Sequence, residues 1–277
     1  MNTAQFDFVR VLYAEEAVNV LAQYGDHAIV LAGGQSLIPQ LSLRPAQPRV
    51  VIDLAQAADL RTIESTRDSV RAGAMVTHAA IEDGQVPDPV PGFLPYVAHG
   101  IAHRSVRNRA TLGGSVCYAD PCADWPTVVI ALGAEIETLS PQGRRTIAAA
   151  EFFPAAFETA LRPAEIVTAL RFPRHSRTTR WGYYKVHRTL SESADAIVAV
   201  VHDAEQGFTR VILGGLRCPP VRLEGVEAEI LAGRVSPDRF DLARCEAMLA
   251  DVPAAVAGNL HNYAFSLGRA MRSAFAG

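Results

Sequence analysis

Apolar and polar positions change their spacing several times along the chain, and each change predicts a new element. FDFVR (6–10) reads as a strand. In AEEAVNVLAQYG, Ala17, Val20, Leu21 and Tyr24 fall at helical spacing, which predicts a helix stopped by Gly25. HAIVLA (27–32) is continuously apolar, the pattern of a strand buried on both faces. Ser36 stands where it would cap a short helix, LIPQLSLR, with Pro39 in the first turn and Pro45 at the end. RVVIDL (49–54) is another buried strand. Residues 5–54 therefore predict a β-α-β-α-β lobe with parallel pairing.

From Leu60 the texture is mixed. LRTIES and SVRAGA read as antiparallel strands, followed by helices over 77–83, 93–102 and about 121–132. AEIETLS, RRTIAAA and EIVTALRFP return to strand patterns, with PQGR (141–144) as a hairpin turn. PRHSRTTR (173–180) is polar and aperiodic, the pattern of a linker. Beyond it, WGYYKVHRT, DAIVAVVHD and FTRVILGGL predict a three-stranded antiparallel sheet, with EQG turning between the last two. Three helices follow: GVEAEILAG, one opened by Ser236–Pro237, and HNYAFSLGRAMRSAFA. The fold class is α+β.

Bulk composition narrows the functions. With 277 residues, 49% hydrophobic and a net charge of −3, the chain suits one large or two modest domains and not a nucleic-acid or membrane-surface grip. No apolar run reaches the roughly 18 residues of a membrane span, and MNTAQFDFVR lacks a secretory pattern, so a cytoplasmic protein is expected. Cys117, Cys122, Cys218 and Cys245 form no CxxC pair, and no histidine pair has metal-ligand spacing. No metal site, cluster or nucleophile motif is expected in this chain.

Two stretches carry candidate chemistry. IVLAGGQSLIP (29–39) runs an apolar strand into Gly33–Gly34, then Ser36 and a helix. ATLGGSVCYADPCAD (110–124) repeats the pattern with Gly113, Gly114 and Ser115. Bare backbone lets consecutive N–H groups approach a diphosphate, so two such turns could clamp one between lobes. Neither is a GxGxxG or Walker loop, and a Gly-Gly pair is often only a turn; Gly214–Gly215, with no serine or helix after it, serves as a control.

Asp120 before Pro121 reads as a helix cap, and Asp124 either as a ribose acceptor or as a favourable charge at a helix start. Of 26 basic residues only Lys185 is lysine, set among Trp181, Tyr183 and Tyr184. Composition alone leaves open whether it is functional or a chance survivor. HRSVRNR (103–109) reads as a solvated or subunit-facing loop.

These motifs carry a resemblance. LAGGQSLIPQLSLR with VIDL, then VRNRATLGGSVCYADPCADWP, resemble the FAD-binding medium subunit of molybdenum hydroxylases, the family of xanthine and carbon monoxide dehydrogenases. The likeness continues through EIVTALRFP, YYKVHRT and LGGLRCPPVR. It implies a two-lobed FAD-binding domain of the vanillyl-alcohol-oxidase (PCMH) type over 1–174, with lobes 1–55 and 56–174, and a C-terminal domain of antiparallel sheet plus helices over 178–277.

Residue by residue, it places Ala32, Gly33, Gly34, Gln35, Ser36 and Leu37 in the first diphosphate loop and Thr111, Leu112, Gly113, Gly114 and Ser115 in the second. Asp124, Val167 and Lys185 match further cofactor contacts. Ser115 departs from the usual Asn, Ala110 from a common Gly, and SESADAIVAV lacks an aromatic residue often found near Asp195. Gln35 stands where related flavoenzymes carry a flavin-linking histidine, so non-covalent FAD is implied.

The implied function is an electron-transfer subunit of a heteromeric oxidoreductase. Its expected partners are a large molybdenum-cofactor subunit and a small [2Fe–2S] subunit, in a dimer of heterotrimers. Two other classes compete: a stand-alone flavin oxidase or dehydrogenase of a small alcohol or amine, and a flavin-free scaffold.

Overall fold

The structure, a computed structural model, describes residues 5–43, 47–189, 192–234 and 240–276. The N-terminal lobe runs β1 (Asp7–Arg10), α1 (Ala14–Tyr24), β2 (Ala28–Leu31), α2 (Leu37–Leu43) and β3 (Val50–Asp53). The three strands pair in parallel in the order β1-β3-β2. Ala14, Ala17 and Val18 bury the inner stripe of α1, and Gly25 ends it at φ +52°. Central β3 is buried throughout. β2 is not: all four residues are half-buried, because β2 is an edge strand whose Ile29 and Val30 wall a cavity.

The second lobe carries β4 (Ile63–Ser65), β5 (Ser69–Gly73), β6 (Glu135–Ser140), β7 (Gly143–Ala148) and β8 (Ile166–Pro173), antiparallel in the order β4-β5-β8-β6-β7. Gly143 takes φ +109° in the β6–β7 hairpin, a conformation cheap only for glycine. This lobe also carries five helices: α3 (His78–Glu82), α4 (Phe93–His99), α5 (Arg104–Arg107), α6 (Leu112–Tyr118) and α7 (Asp124–Ala131).

Two of these correct the sequence reading. The basic run expected as a solvated loop is α5, and its Arg107 is buried. That guanidinium donates to both Glu82 carboxylate oxygens (2.8 and 2.9 Å) and to the Ile101 and Ala102 carbonyls. Helix α7 begins at Asp124, not at Pro121. Asp120 closes a tight turn instead, its carboxylate accepting the Cys122 N–H at 2.9 Å.

The C-terminal part adds β9 (Arg180–Val186), β10 (Ala196–Asp203), β11 (Phe208–Gly214) and β12 (Val221–Arg222), then α8 (Glu224–Leu231), α9 (Leu242–Leu249), α10 (Pro253–Val256) and α11 (Leu260–Phe275). The sheet has four strands, β12-β11-β10-β9, where three were expected. β12 spans two residues, too few to show a period. The helix start placed at Ser236–Pro237 and the helix end placed at Pro45 lie outside the described residues. The α9 described here is capped by Asp241, whose carboxylate accepts the Arg244 N–H at 2.8 Å.

This sheet is covered on both faces, which explains its unbroken apolar runs. Ile197, Ala199, Val201 and Ile212 join the core of the second lobe around Trp125 and Val128. Val198, Val200, Val211 and Leu213 pack with Leu267 and Met271 of α11. The expected linker is strapped down. The Ser176 N–H and hydroxyl donate to the buried Asp203 carboxylate (2.6 and 2.8 Å), and Arg174 reaches the Thr66 carbonyl at 2.9 Å. An aperiodic polar stretch can be ordered when a buried carboxylate gathers its donors.

Candidate functional site between the lobes

The two glycine segments touch. A Cβ on Gly33 would overlap the Arg109 carbonyl oxygen and come within 2.8 Å of Ala110 Cα. A Cβ on Gly114 would lie 3.3 Å from Ala32 Cβ, and one on Gly113 would lie 2.5 Å from Ala74 Cβ. Backbone therefore lies on backbone where the lobes meet, and any side chain would force them apart. The control pair obeys the same steric rule for a different purpose: Gly214 packs on Thr127 and Gly215 on Ala196, away from this junction.

Between the lobes lies a cavity of about 480 Å³, within the roughly 300–1,000 Å³ usual for small-molecule sites. Lobe one lines it with Ala32, Gly33, Gly34, Gln35, Ser36 and Leu37. Lobe two adds Thr111, Gly113, Gly114, Ser115 and Val167. Leu112 does not reach it; its side chain is fully buried in the core of the second lobe.

The two segments present different backbones to that space. Gly34 takes φ +78° and turns the chain into α2, with its carbonyl accepting the Ile38 N–H at 3.0 Å. Among the described residues, the N–H groups of Gly33, Gly34, Gln35 and Ser36 have no acceptor. They are open donors beside a cavity, suited to an anion.

The second segment is not the expected turn with open donors. It is the first turn of α6, and its donors are already committed: Leu112 N–H to the Val76 carbonyl (2.9 Å), Gly113 to Ala74 (2.9 Å) and Ser115 to Thr111 (3.0 Å). Gly114 N–H bonds the Thr111 hydroxyl at 3.2 Å, an N-cap worth about 1 kcal/mol. Glycine serves here by omission, keeping this wall flush with lobe one.

Asp124 and Lys185 pair with each other outside the cavity lining. Lys185 Nζ, on β9, donates to Asp124 Oδ1 at 2.7 Å, and the Tyr183 hydroxyl donates to the same oxygen. Asp124 is 7% exposed. Burial, reinforced by the Asp124 charge, pushes the Tyr183 phenol well above its usual range and keeps it a donor. The lysine side chain also approaches Gly100, whose neighbour Ile101 lines the cavity. The pair thus closes a junction among α7, β9 and the end of α4.

Known proteins decide the assignment. Residues 4–175 match the family described as the FAD binding domain in molybdopterin dehydrogenase. The chain belongs to that family. The nicotine 6-hydroxylase medium subunit of Paenarthrobacter nicotinovorans is 38% identical over 235 residues, covering 83% of this chain and 81% of that one. The carbon monoxide dehydrogenase medium chain of Hydrogenophaga pseudoflava is 34% identical over 247 residues, covering 86% and 84%. A solved structure of carbon monoxide dehydrogenase from H. pseudoflava, lacking the Mo-pyranopterin moiety, superposes with a TM-score of 0.87 at 30% identity, covering 100% of this chain and 99% of that one. FAD is thus the cofactor of this flavoprotein, and the chain is an oxidoreductase subunit of the xanthine dehydrogenase type.

Sequence reasoning passed over several residues of the flavoprotein's cavity. Ala74, Met75, His78 and Ala110 line it, as do Glu165 and Ile166. The first four belong to two strips stitched edge to edge. Beyond the Gly113 and Leu112 bonds, His78 N–H donates to the Ala110 carbonyl at 3.0 Å and Thr77 bridges Thr111. The available signal was AGAMVTH: small residues at 72–74 leading to Thr77, which caps α3.

Glu165 is held by neighbours. Burial opposes its charge but is outweighed by Arg145 (2.6 and 2.7 Å), the Thr138 hydroxyl (2.6 Å) and the Arg162 N–H, which bring its pKa down to about 2. Cys117 lines the cavity as an exposed free thiol. Among the described residues no group of three or more His, Cys, Asp or Glu side chains could hold a metal.

Proposed function

We propose that this chain is the electron-transfer subunit of a heteromeric molybdenum-dependent dehydrogenase or hydroxylase. The carrying observation is the meeting of the two glycine segments at one cavity, with four N–H groups on one wall that have no acceptor among the described residues. A Cβ at Gly33 would run into Arg109 and Ala110 at the junction, so the cradle fits a ligand that needs backbone at close range. In this reading the donors of Gly33 to Ser36 hold the FAD diphosphate, with Leu37 closing the loop. Thr111, Gly113, Gly114 and Ser115 form the opposing wall through backbone and short side chains, and Leu112 anchors that segment in the core behind it. Val167 gives apolar contact, and the Asp124–Lys185 pair fixes the flavin end.

When bound, FAD supplies the redox chemistry, accepting electrons from iron–sulfur clusters of a partner and releasing them to an external acceptor. The chain's residues position it, and Gln35 leaves the attachment non-covalent. Two proposed units follow: an FAD-binding unit over 1–174, with lobes 1–55 and 56–174, and a C-terminal unit over 178–277. We place the chain in the cytoplasm, in a dimer of heterotrimers with a large molybdenum-cofactor subunit and a small [2Fe–2S] subunit. Medium-subunit relatives of nicotine 6-hydroxylase and carbon monoxide dehydrogenase support this reading.

Purification of the native complex tests it. The expected result is co-purification with two further subunits, flavin absorbance, and molybdenum and iron by elemental analysis. A single yellow chain that oxidises a small alcohol or amine without molybdenum would overturn it in favour of a stand-alone flavoenzyme. Colourless native protein would leave only a scaffold.

A further inference from the structure

The glycine junction divides the cavity into two arms. One runs toward Ile101 and Ala123, beside the Asp124–Lys185 pair. The other runs toward β2 and β8, where Val30, Ile166 and Val167 give it apolar walls. Tyr118 belongs to this second arm: Cys117, the residue before it, sets its sulfur against the Val167 backbone. Among the described residues Tyr118 is the one Phe, Tyr or Trp in the cavity wall, and its ring is fixed from two sides. Gln40 Nε2, on α2 of lobe one, donates to its hydroxyl at 2.9 Å across 78 positions of chain. Phe157 packs edge to face against it, ring centroids 5.4 Å apart. The seat is strained: Ala119 and Phe157 hold left-handed φ of +50° and +60°, joined by the Phe157 N–H donating to the Ala119 carbonyl at 2.9 Å. Strain of this kind persists only where the surroundings over-determine it, and it collects at ligand sites.

We propose that Tyr118 is a further FAD-binding residue that stacks on the adenine, with Gln40 holding it in place as a clasp between the lobes. The inference rests on the cavity being the FAD site. A diphosphate fixed at the junction sends one end of FAD into each arm, so with the flavin beside Asp124 and Lys185 the adenosine enters the other. Adenine is a flat ring with apolar faces and a polar edge, and it suits an apolar arm that carries one oriented aromatic side chain. The bond between Gln40 and Tyr118 joins exposed side chains and adds little to folding by itself. Its effect is to set the ring at the rim of the adenosine arm.

The test uses the full chain stripped of flavin, titrated with FAD and with ADP, which carries the adenosine and the diphosphate but no flavin. ADP should compete with FAD for the wild-type chain. Tyr118→Leu should weaken both ligands by about tenfold, as for loss of one base–aromatic stack. Tyr118→Phe keeps the ring and should weaken each by no more than about threefold. Lys185→Met, on the other arm, should weaken FAD and leave ADP within about twofold. In the wild-type ADP complex, nuclear Overhauser effects should join the adenine protons to the Tyr118 ring protons, a signal that a merely structural tyrosine would not give. ADP that does not compete, unchanged affinities in Tyr118→Leu, an ADP loss in Lys185→Met equal to its FAD loss, or an ADP complex without those Overhauser effects would overturn the inference alone. A wild-type chain that takes up no FAD would overturn the site assignment and this inference with it.

Discussion

Gly33–Gly34 and Gly113–Gly114 look alike in sequence, each followed by a serine and a helix, yet they line one cavity for opposite reasons. The first pair needs what glycine permits: a left-handed φ at Gly34 and a row of N–H donors with no acceptor among the described residues. The second needs what glycine lacks. Gly113 and Gly114 sit in ordinary helix, their N–H groups spent, and the absent Cβ lets α6 lie against Ala74 and Ala32. A dipeptide motif therefore reports close approach of backbone and does not by itself report which atoms face the ligand. The contrast also orders the experiments that would break it.

The largest effects should come where a Cβ meets backbone. Gly33→Ala drives a side chain into the Arg109–Ala110 backbone across the junction, and Gly113→Val drives one into Ala74 within lobe two, each with an expected cost of about 3 kcal/mol or more. Both variants should lose bound flavin, read as flavin absorbance per chain, and should unfold at lower temperature. Wild-type flavin occupancy in either would mean that the lobes do not close on a cofactor there. Gly34→Ala should be milder, about 1–2 kcal/mol, because its strain lies in φ and its nearest contacts are side-chain atoms, Ile38 Cγ1 at 3.2 Å and Leu31 Cδ1 at 3.3 Å.

Next in size is the pair beyond the cavity. Lys185→Met removes the cation from a carboxylate that is 7% exposed. Breaking a fully buried pair costs about 3–5 kcal/mol. Tyr183 still donates to Asp124 here, so about 1–3 kcal/mol is expected in urea denaturation of the flavin-free chain. Lys185→Arg should not restore it, since a planar fork cannot occupy the place of a compact ammonium. Unchanged stability in Lys185→Met would show the pair to be indifferent to folding and leave Lys185 with a role toward the cofactor alone.

Acid should separate two buried groups of opposite sign. Burial lowers the His78 pKa to about 4 from an ordinary 6.5, so the folded state resists protonation. Its contribution is intact above pH 6.5 and falls away between 6.5 and 4, by about 1–2 kcal/mol at pH 5. Asp88 behaves inversely: burial raises its pKa to about 6 against the Val90 and Leu94 N–H groups, so the folded state gains as pH falls from 6 toward 3.8. His78→Asn should flatten the acid loss of stability, and Asp88→Asn should steepen it. Parallel stability curves for all three proteins between pH 7 and 4 would refute both assignments.

Much of this architecture was legible because it rests on local rules. The parallel lobe, the Gly143 hairpin and the Gly207 turn follow from apolar runs broken by glycine. Helix α6 did not announce itself, since two glycines in its first turn argue against a helix; burial of Leu112 and Val116 and the Thr111 cap override that propensity. Helix α5 was hidden in an arginine-rich run because only tertiary structure brings Glu82 to Arg107. Within the site, the glycines and Ser36 stand in motifs, but His78 and Glu165 carry no spacing signal. Asp124 and Lys185 were visible separately; their pairing, 61 positions apart, was not.

The smallest effect bears most directly on the contrast between the two walls. If the first segment holds the cofactor through its backbone, changing its serine side chain alters no backbone donor, and Ser36→Asn should leave the FAD dissociation constant within about twofold. In the second segment the N–H groups are spent, so only side chains such as that of Ser115 remain to contact the ligand. Ser115→Asn should therefore tighten FAD by about threefold to tenfold, as one added hydrogen bond contributes about 1 kcal/mol. The readout is fluorescence quenching during titration of the flavin-free chain, with the Thr111 cap intact in both variants. Equal responses at Ser36 and Ser115 would mean that the two segments use the same kind of contact, and the distinction drawn from their hydrogen bonds would fail.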